Sequence, residues 1–440
     1  MVSTRHERRV VITGVGLVSP LGNSKDDLWN ALTAGISGVV PIDYFNTQLD
    51  TPCFGGVAAD FRSHIDDFGD LEKDQRKAIR KALKLMCRET MMGVASAQAA
   101  LQNAGLRVGS YDPERAGCIF GTDYMLTMPE DFIAGITHCT DDGGKFEYDR
   151  WGGEGLGQVT PLWLLKYLPN MPASHVAIYN DMRGPNNSLT LREAAANMAV
   201  GEAWSTIDRG SADLMLAGAT GTRIHPMNAI HAFQQEEVAC TKDDPTRASR
   251  PFDIDRTGMV LGEGAGVVIL ESLESAQRRD AHIYGEVLAR ASSSVASANA
   301  DARRQNALQN VLRVLLRETE AGEINIGHIH AHGLSTRSSD SEEAQAIAAT
   351  VGQIDSTCPV VAAKSYFGNL GAGGGIVELI ASLMAIADGQ LFKTLNYETP
   401  DPACPVAVTN DRSTPAGDSF INLSVTPQGQ ASGILVRAVN

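Results

Sequence analysis

The stretch "GPNNSLTLREAAANMAVGEAWSTIDRGSADLMLAGAT", residues 184–220, places a turn and a polar segment before a helix of unusually small side chains. The apolar run "ADLMLAGAT" that follows predicts a buried strand. A sharp turn that opens directly into a helix is a place where α/β enzymes hold a nucleophile. Here the helix is expected to begin at Glu193, so the first question is what a carboxylate does at that position.

Strands and helices alternate on both sides of this corner. Upstream, "RVVITGVGLVSPLG" predicts a buried strand, "KDDLWNALTAG" a helix ended by Gly35, and residues 69–106 the longest helical stretch. Downstream, the predicted strands "HIYGEVLARA", "GHIHAHG" and "PVVAAKS" are again separated by helices. This alternation predicts mostly parallel sheets covered by helices, in two similar halves. We predict an N-terminal half over residues 1–265, with a cap insertion at about 126–180, and a C-terminal half over residues 266–440.

Composition excludes several classes of partner. The 440 residues contain 37 Lys and Arg against 52 Asp and Glu, a formal charge of −15, which argues against nucleic acid and anionic membrane surfaces. No apolar run approaches the roughly 20 residues of a membrane span, and the N-terminus has no signal-peptide apolar region. The seven cysteines lack CxxC pairs, which predicts reduced thiols and no zinc site. We therefore expect a cytoplasmic protein without a metal or another cofactor.

Three histidines alternate in "HIHAHG", residues 328–333, and therefore share one face of a strand. Metal ligation is one interpretation, although a flat strand usually brings only some of such a set within reach of one ion. His332 precedes a glycine at the strand end, where catalytic residues of α/β folds collect. The pattern leaves a catalytic and a packing role open for His332, and it favours packing for His328 and His330.

A basic face is predicted on the long helix. Lys73, Lys77, Arg80, Lys84 and Arg88 follow one another at helical spacing and lie on one side. Such a face is either plain solvated surface or a docking face for an acidic partner. The basic patch, defined as Lys77, Arg80 and Lys84, is the candidate docking site.

Several segments, in this order, carry a family resemblance over nearly the whole chain. They are "RRVVITGVGLVSPLG", residues 184–220, "ASRPFDIDRTGMVLGEGAGVVILESLESAQRRDAHIYGEV", "HAHGLSTRSSDSEEAQAI" and "AAKSYFGNLGAGGGIVEL". Together they resemble the β-ketoacyl-acyl carrier protein synthases, the elongating ketosynthases of the thiolase-like superfamily. The resemblance implies an α/β, thiolase-like, duplicated five-layer α-β-α-β-α fold. It also implies acyl carrier protein or CoA thioesters as partners, and a homodimer or a heterodimer with another ketosynthase.

The resemblance also assigns the site. In the family, a cysteine at the start of the buried helix takes the acyl chain from a carrier-protein thioester. Two histidines assist decarboxylation of malonyl-carrier protein, and two backbone N–H groups bind the oxyanion. In this chain Glu193 stands at the cysteine position, His332 matches the first histidine, Lys364 matches the lysine and Asn369 replaces the second histidine. These four are the predicted catalytic positions.

The resemblance further implies a binding site for pantetheine and the acyl group. Leu334 replaces a polar pantetheine contact and Thr336 keeps the second one, and Phe367 and Pro427 are expected nearby. Pro427, in "TPQG" (426–429), falls where the second oxyanion-binding N–H should be, and proline has none. If the alignment of this short segment shifted by one residue, a residue with a backbone N–H would take that position.

Glu193 cannot simply replace a thiolate. A carboxylate that attacked a thioester would form a mixed anhydride, which is a poor store for an acyl chain. A helix N-terminus keeps a carboxylate ionised, since its reference pKa is already about 4.3. We expect Glu193 to pair with Lys364 or His332, and we do not expect condensation by the cysteine route.

Three uses of such a site stay open. The first is a non-condensing protein that binds thioesters, or that partners a competent ketosynthase as chain-length factors do. The second is decarboxylation of a malonyl thioester, with His332 and Asn369 holding the carbonyl and the developing enolate. The third is an inert site in which the carboxylate and the lysine form a buried ion pair. Retention of His332, Lys364, Asp340 and Glu343 favours thioester binding or chemistry over an inert site.

Overall fold

Both predicted halves form sheets in the computed structural model, which describes residues 8–42, 54–241, 244–299, 301–317 and 325–439. The strands are β1 Val10–Val18, β2 Val39–Pro41, β3 Phe54–Gly56, β4 Ala116–Thr122, β5 Asn186–Thr190, β6 Leu214–Thr222, β7 Glu263–Ser272, β8 Gly285–Ser294, β9 His328–His330, β10 Pro359–Val361, β11 Ala407–Val408, β12 Ser419–Val425 and β13 Gln430–Arg437. The helices are α1 Lys25–Ala34, α2 Lys73–Ala82, α3 Arg88–Asn103, α4 Ile133–His138, α5 Tyr148–Arg150, α6 Met171–Tyr179, α7 Ala195–Asp208, α8 Pro226–Gln235, α9 Leu273–Arg278, α10 Arg304–Arg317, α11 Arg337–Ala348, α12 Val351–Ile354, α13 Lys364–Phe367 and α14 Gly374–Asp388.

The two halves share one topology. The N-terminal sheet has the spatial order β1-β7-β6-β4-β5 and the C-terminal sheet has the order β8-β13-β12-β9-β10, extended by β11. When the strands of each half are ranked along the chain, both orders become 1-5-4-2-3. The directions agree as well, because in each sheet the first two neighbouring pairs are antiparallel and the last two are parallel, so the sheets are mixed and not mostly parallel as predicted. A short pairing of β1 with β8 joins the two sheets. This identity confirms the predicted duplication.

Five layers follow from where the helices pack. Helix α7 contacts β4 and β6 of one sheet and β8 and β13 of the other, while α14 contacts β7 and β12. These two helices therefore form the middle layer. Helices α3 and α6 cover the outside of the N-terminal sheet, and α10, with α11 against it, covers the C-terminal sheet. The α-β-α-β-α arrangement confirms the predicted fold class.

The middle layer explains two features of composition. The stretch Gly371–Asp388 is long and apolar enough to cross a membrane by length and composition, but 83% of it is buried inside the protein. The start of α7 needs small side chains because other elements approach it closely. A Cβ on Gly375 would lie 2.8 Å from the Cβ of Ala196, and one on Gly121 would lie 2.8 Å from the carbonyl of Ala195. The alanine run is thus a packing requirement of a helix held between two sheets.

The predicted helix over residues 69–106 is wrong in one respect, because it is interrupted. Helix α2 ends at Ala82, a 3₁₀ turn occupies Leu83–Leu85, and extended backbone at Cys87 precedes α3. Arg88 is turned away from the basic face by this break. Its guanidinium lies 2.6 Å from the buried carboxylate of Glu263 instead.

The division between the halves lies later than predicted. Strand β7 pairs with β1 and β6, so it completes the N-terminal sheet, and the boundary expected at 265/266 falls inside it. The change of sheet occurs between β7 and β8. The insertion at 126–180 does contain irregular backbone with the short helices α4 and α5. Its last element, α6, packs on α3 and β4 and belongs to the outer helical layer.

Candidate active site

Glu193 lies at the corner between β5 and α7, as the sequence predicts. It occupies a 3₁₀ turn, Arg192–Ala194, that leads directly into α7. Arg192 has a φ of 51°, a conformation that residues other than glycine rarely adopt, and this turns the chain sharply into the helix. The side chain of Glu193 is only 2% exposed. The carboxylate therefore sits at the N-terminal end of a helix buried between the sheets.

Positive charge surrounds this carboxylate. The Nε of Arg192 lies 3.3 Å from its Oε2, and the Nδ2 of Asn369 donates to its Oε1 at 3.1 Å. Burial opposes ionisation of Glu193. The charges of Arg192 and Arg223, with the hydrogen bond from Asn369, outweigh burial and hold the pKa of Glu193 well below its usual range. Glu193 is consequently an anion at neutral pH.

Glu193 belongs to a charge cluster with Asp123, Arg192, Arg223 and Glu236. Arg223 is fully buried, pairs with Glu236, and lies 3.7 Å from Asp123. The Nη2 of Arg192 donates to the same Oε1 of Glu236 at 2.9 Å, so two guanidinium groups meet on one carboxylate oxygen. Burial, and then repulsion from Glu193, raises the pKa of Asp123 to about 6. The cluster thus sets three carboxylates against two guanidinium groups.

Sequence reasoning missed four members of this cluster, and one of them, Arg192, directly precedes Glu193 in the chain. Asp123 directly follows β4 and Arg223 directly follows β6, and these strands are neighbouring and parallel. Polar residues at the carboxyl ends of parallel strands are a recognised signal of a site, and that rule would have found both. Glu236 follows α8, and nothing in its local sequence indicates that it reaches the same place.

His332 follows the end of β9 and is 1% exposed. Lys364 Nζ lies 3.2 Å from its Nδ1. An ammonium group can only donate, so Nδ1 must accept and the single proton of the neutral ring lies on Nε2. Burial, and then the charge of Lys364, lowers the pKa of His332 well below its usual value, which keeps the ring neutral. Nε2 is buried and finds no acceptor among the described residues, so its N–H can donate to a ligand oxygen.

The expected pairing of Glu193 with Lys364 or His332 is wrong. Lys364 forms its ion pair with Glu378 of α14, and both side chains are almost completely buried. The ion pair of Glu193 is with its neighbour Arg192. Each buried charge has its own partner, which is what low-dielectric surroundings demand.

Asn369, predicted only as the replacement for the second histidine, lies next to Glu193, and both ends of its side-chain amide are used. Its Oδ1 accepts the backbone N–H of Gly371 at 3.0 Å, which turns Nδ2 toward Glu193. The same Nδ2 lies 3.5 Å from the sulfur of Met259. The amide therefore holds the carboxylate in place, and it could donate to a substrate only by giving up part of that contact.

The carboxylates of Asp340 and Glu343 accept hydrogen bonds from backbone N–H groups. Asp340 accepts three buried N–H groups, those of Leu334 at 2.9 Å, Ser335 at 3.1 Å and Phe252 at 2.9 Å. Glu343 accepts two more, from His332 at 2.7 Å and from Gly333 at 2.9 Å. Burial raises the pKa of Asp340 to about 6 and that of Glu343 to about 7. Their retention follows from the loop that carries His332, so it no longer favours thioester chemistry by itself.

Three of the four residues expected to bind pantetheine or the acyl group lie together. Leu334, Thr336 and Pro427 line one groove of about 120 Å³, which Glu236 and Arg304 also line. Leu334 is two residues from His332, so one loop carries both a wall residue of the groove and the buried histidine. The hydroxyl of Thr336 also caps α11, where it accepts the N–H of Ser339 at 3.3 Å.

Pro427 and Phe367 have different surroundings. Pro427 lies in the tight turn between β12 and β13, closed by a 3.0 Å bond from Gly429 N to the carbonyl of Thr426. Its own carbonyl accepts from Arg304 at 3.3 Å, and it has no N–H to offer an oxyanion. Phe367 is fully buried in the core between the halves and does not line the groove.

The remaining histidines of β9 are packing residues, as expected. His328 Nε2 and His330 Nδ1 lie 3.0 and 2.8 Å from the hydroxyl of Ser382 on α14, and both rings are fully buried. Within the part of the chain that the structure describes, no group of three or more potential metal ligands assembles.

The basic patch persists after the break in the long helix. Lys77 and Arg80 lie on α2 and Lys84 in the 3₁₀ turn after it, and all three side chains are exposed. The nearby Arg76 is instead paired with Asp66. The patch is thus a small positive surface on an acidic protein.

Comparison with known proteins matches the chain to two family models. The N-terminal domain of beta-ketoacyl synthase covers residues 7–276 and the C-terminal domain covers residues 284–398. The 3-oxoacyl-(acyl-carrier-protein) synthase 2 of Synechocystis sp. is 32% identical over 399 residues, 90% of each chain. The protein of the same name from Coxiella burnetii is 33% identical over 401 residues, again 90% of each chain.

Solved structures of similar architecture cover the whole chain. A beta-ketoacyl synthase from Burkholderia phymatum is 25% identical, with a TM-score of 0.82 over 98% of this chain and 100% of that one. The ishigamide ketosynthase/chain length factor is 27% identical, with a TM-score of 0.80 over 99% and 100%. A type II polyketide ketosynthase in complex with its acyl-carrier protein is 26% identical, with a TM-score of 0.81 over the same shares. The chain therefore belongs to the beta-ketoacyl synthase family, as a ketosynthase-like protein of fatty acid or polyketide biosynthesis.

Proposed function

We propose that this chain is a non-condensing member of its family that binds malonyl or acyl thioesters presented by a carrier protein. The observation that carries the proposal is the state of Glu193. Its carboxylate is buried, ionised, paired with Arg192 and hydrogen-bonded by Asn369. An anion held in this way does not replace a thiolate, and its acyl product would be a mixed anhydride that water destroys.

Thioester binding is supported by what remains at the site. The Nε2–H of His332 is a fixed, buried donor of the kind that stabilises a thioester carbonyl or an enolate oxygen. The groove lined by Leu334, Thr336 and Pro427 opens on the same loop, since Leu334 lies two residues after His332. Donors already oriented in a dry site cost little reorganisation when the oxygen arrives. A surface groove on the loop that carries an oriented N–H suits the arm of a thioester.

An acidic carrier protein suits the basic patch. Three exposed cations, two on α2 and one in the 3₁₀ turn after it, attract an acidic partner, while the overall charge of −15 would repel it elsewhere. The similarity to a ketosynthase in complex with its acyl-carrier protein supports this choice of partner. The patch would therefore set the speed and salt dependence of association.

A second candidate is a partner subunit for a competent ketosynthase. Among the described residues β5 pairs only with β4, so it forms an edge of the N-terminal sheet. Unpaired backbone groups on an edge strand can accept a strand from a second chain. The similarity to a ketosynthase/chain length factor favours this candidate. We propose β5 as a dimer contact, with a second copy or with another ketosynthase.

The experiment is a binding measurement with malonyl- and acyl-carrier protein. We expect wild type to bind both and His332→Ala to weaken binding, since the fixed N–H donor is lost. Conversion of malonyl- to acetyl-carrier protein that depends on His332 would extend the function to decarboxylation. Failure to bind either carrier protein would contradict the primary proposal. Co-purification with a cysteine-bearing ketosynthase in that case would support the partner role.

A further inference from the structure

We infer that Arg192 closes the inner end of the groove and that a thioester reaches His332 only when its guanidinium group leaves Glu236. The identity of the ligand rests on the proposed function, whereas closure of the site does not. Arg192 thus controls access from the groove to His332.

The contacts of Arg192 span the boundary between groove and buried site. Its guanidinium reaches inward to Glu193, 3.3 Å away, and sideways to Glu236, 2.9 Å away, which lines the groove. Its Nη1 lies 3.4 Å from the Oε1 of Gln428, an exposed residue beside the groove-lining Pro427. One side chain thus joins Glu236 of the groove wall, and Gln428 beside it, to the carboxylate of Glu193.

The groove in front of Arg192 is too small for the proposed ligand. Its volume of about 120 Å³ lies below the roughly 300–1,000 Å³ of ordinary ligand pockets. Behind Arg192, the Nε2 of His332 is buried and has no hydrogen-bond partner among the described residues, and the Oε2 of Glu193 has only its ion pair with Arg192. Buried polar atoms are nearly always partnered, so the free Nε2–H indicates a binding site that is built but closed.

Opening requires only a limited exchange of partners. The Oε1 of Glu236 accepts from both Arg192 and Arg223. When Arg192 leaves, Glu236 keeps its ion pair with the deeply buried Arg223, and Glu193 keeps the hydrogen bond from Asn369. The side chain of Arg192 is 15% exposed, against 2% for Arg223, so it is the member of the pair that can turn toward solvent.

Access is measured with a thiol placed at the corner. Glu193→Cys leaves the contacts of Arg192 with Glu236 and Gln428 in place. Its alkylation at position 193 is followed by peptide mass spectrometry with iodoacetamide and with an iodoacetyl-pantetheine probe. The exposed Cys240 serves as an internal standard for the reactivity of each probe.

Adding Arg192→Ala to this background is expected to accelerate alkylation by the pantetheine probe about tenfold or more. This is the factor that corresponds to losing one charge-assisted hydrogen bond. Glu236→Gln, which removes the charge that holds the guanidinium, should accelerate it as well. Arg209→Ala, at the exposed far end of α7, should leave the rate unchanged. Equal rates with and without Arg192 and Glu236 would overturn the inference. Because no carrier protein takes part, this result is independent of the proposed function.

Discussion

Asp340→Ala is expected to lower the free energy of unfolding by about 3–5 kcal/mol. The substitution removes the acceptor of three buried N–H groups, those of Leu334, Ser335 and Phe252. Each orphaned donor costs about 1–3 kcal/mol, which gives about 3–9 kcal/mol in all. Burial disfavours the carboxylate itself and raises its pKa to about 6, so its removal returns part of this cost. We therefore expect the loss in unfolding free energy to lie in the lower part of this range, at about 3–5 kcal/mol.

The assay is urea unfolding followed by circular dichroism at pH 7. Asp340→Asn keeps one carbonyl acceptor in nearly the same place and should cost about 1–2 kcal/mol. Ser341→Ala, at the next and only partly buried position of α11, is the matched control and should stay within about 0.5 kcal/mol of wild type. If Asp340→Ala unfolded like wild type but lost thioester binding, the carboxylate would act in the chemistry, and its structural assignment would be refuted.

Two further predictions concern pH and docking. Burial raises the pKa of Glu89 to about 7 from 4.5, so the folded state takes up a proton between these values and wild type gains stability as pH falls from 8 to 5. Glu89→Gln should be the more stable protein at pH 8 and should lose up to about 3 kcal/mol of that advantage by pH 5. Denaturation curves at each pH measure the difference, and the exposed control Glu274→Gln should show no such trend. Parallel pH dependences for wild type and Glu89→Gln would contradict the prediction. Replacing Lys77, Arg80 and Lys84 with glutamate should weaken carrier-protein binding about tenfold at low salt and less at high salt, whereas Arg209→Glu should leave the affinity unchanged. Titration calorimetry measures both variants. Unchanged affinity in the triple variant would mean that the basic patch is plain solvated surface.

Much of the fold could be predicted because its strands are buried on both faces and their apolar runs stand out. Strand β5 is the exception, since Asn186–Thr190 is mostly polar and lies at a sheet edge, where no apolar pattern is required. The break after α2 was also missed. Neither glycine nor proline marks it, and Cys87 is turned inward by contacts with Met125 and Tyr167, residues distant in sequence.

Some features of the candidate site could likewise be predicted from the sequence, and others could not. The family resemblance assigns Glu193 and Asn369 to one site although 176 residues separate them, and the structure has a hydrogen bond between their side chains. The choice of ion partners could not be predicted in the same way. The sequence places Lys364 and the carboxylates in one region, but the reach of each side chain decides that Glu378 takes the lysine and Arg192 takes Glu193.

The central claim is that the carboxylate of Glu193 prevents acylation at a corner that is otherwise built for it. Intact-mass analysis of wild type and Glu193→Cys after incubation with acyl-carrier protein tests it most directly. A thiol at a helix N-terminus has a lowered pKa, so the substituted protein should gain one acyl group at position 193. Wild type should gain none. An acyl adduct on Glu193 in wild type would contradict the account.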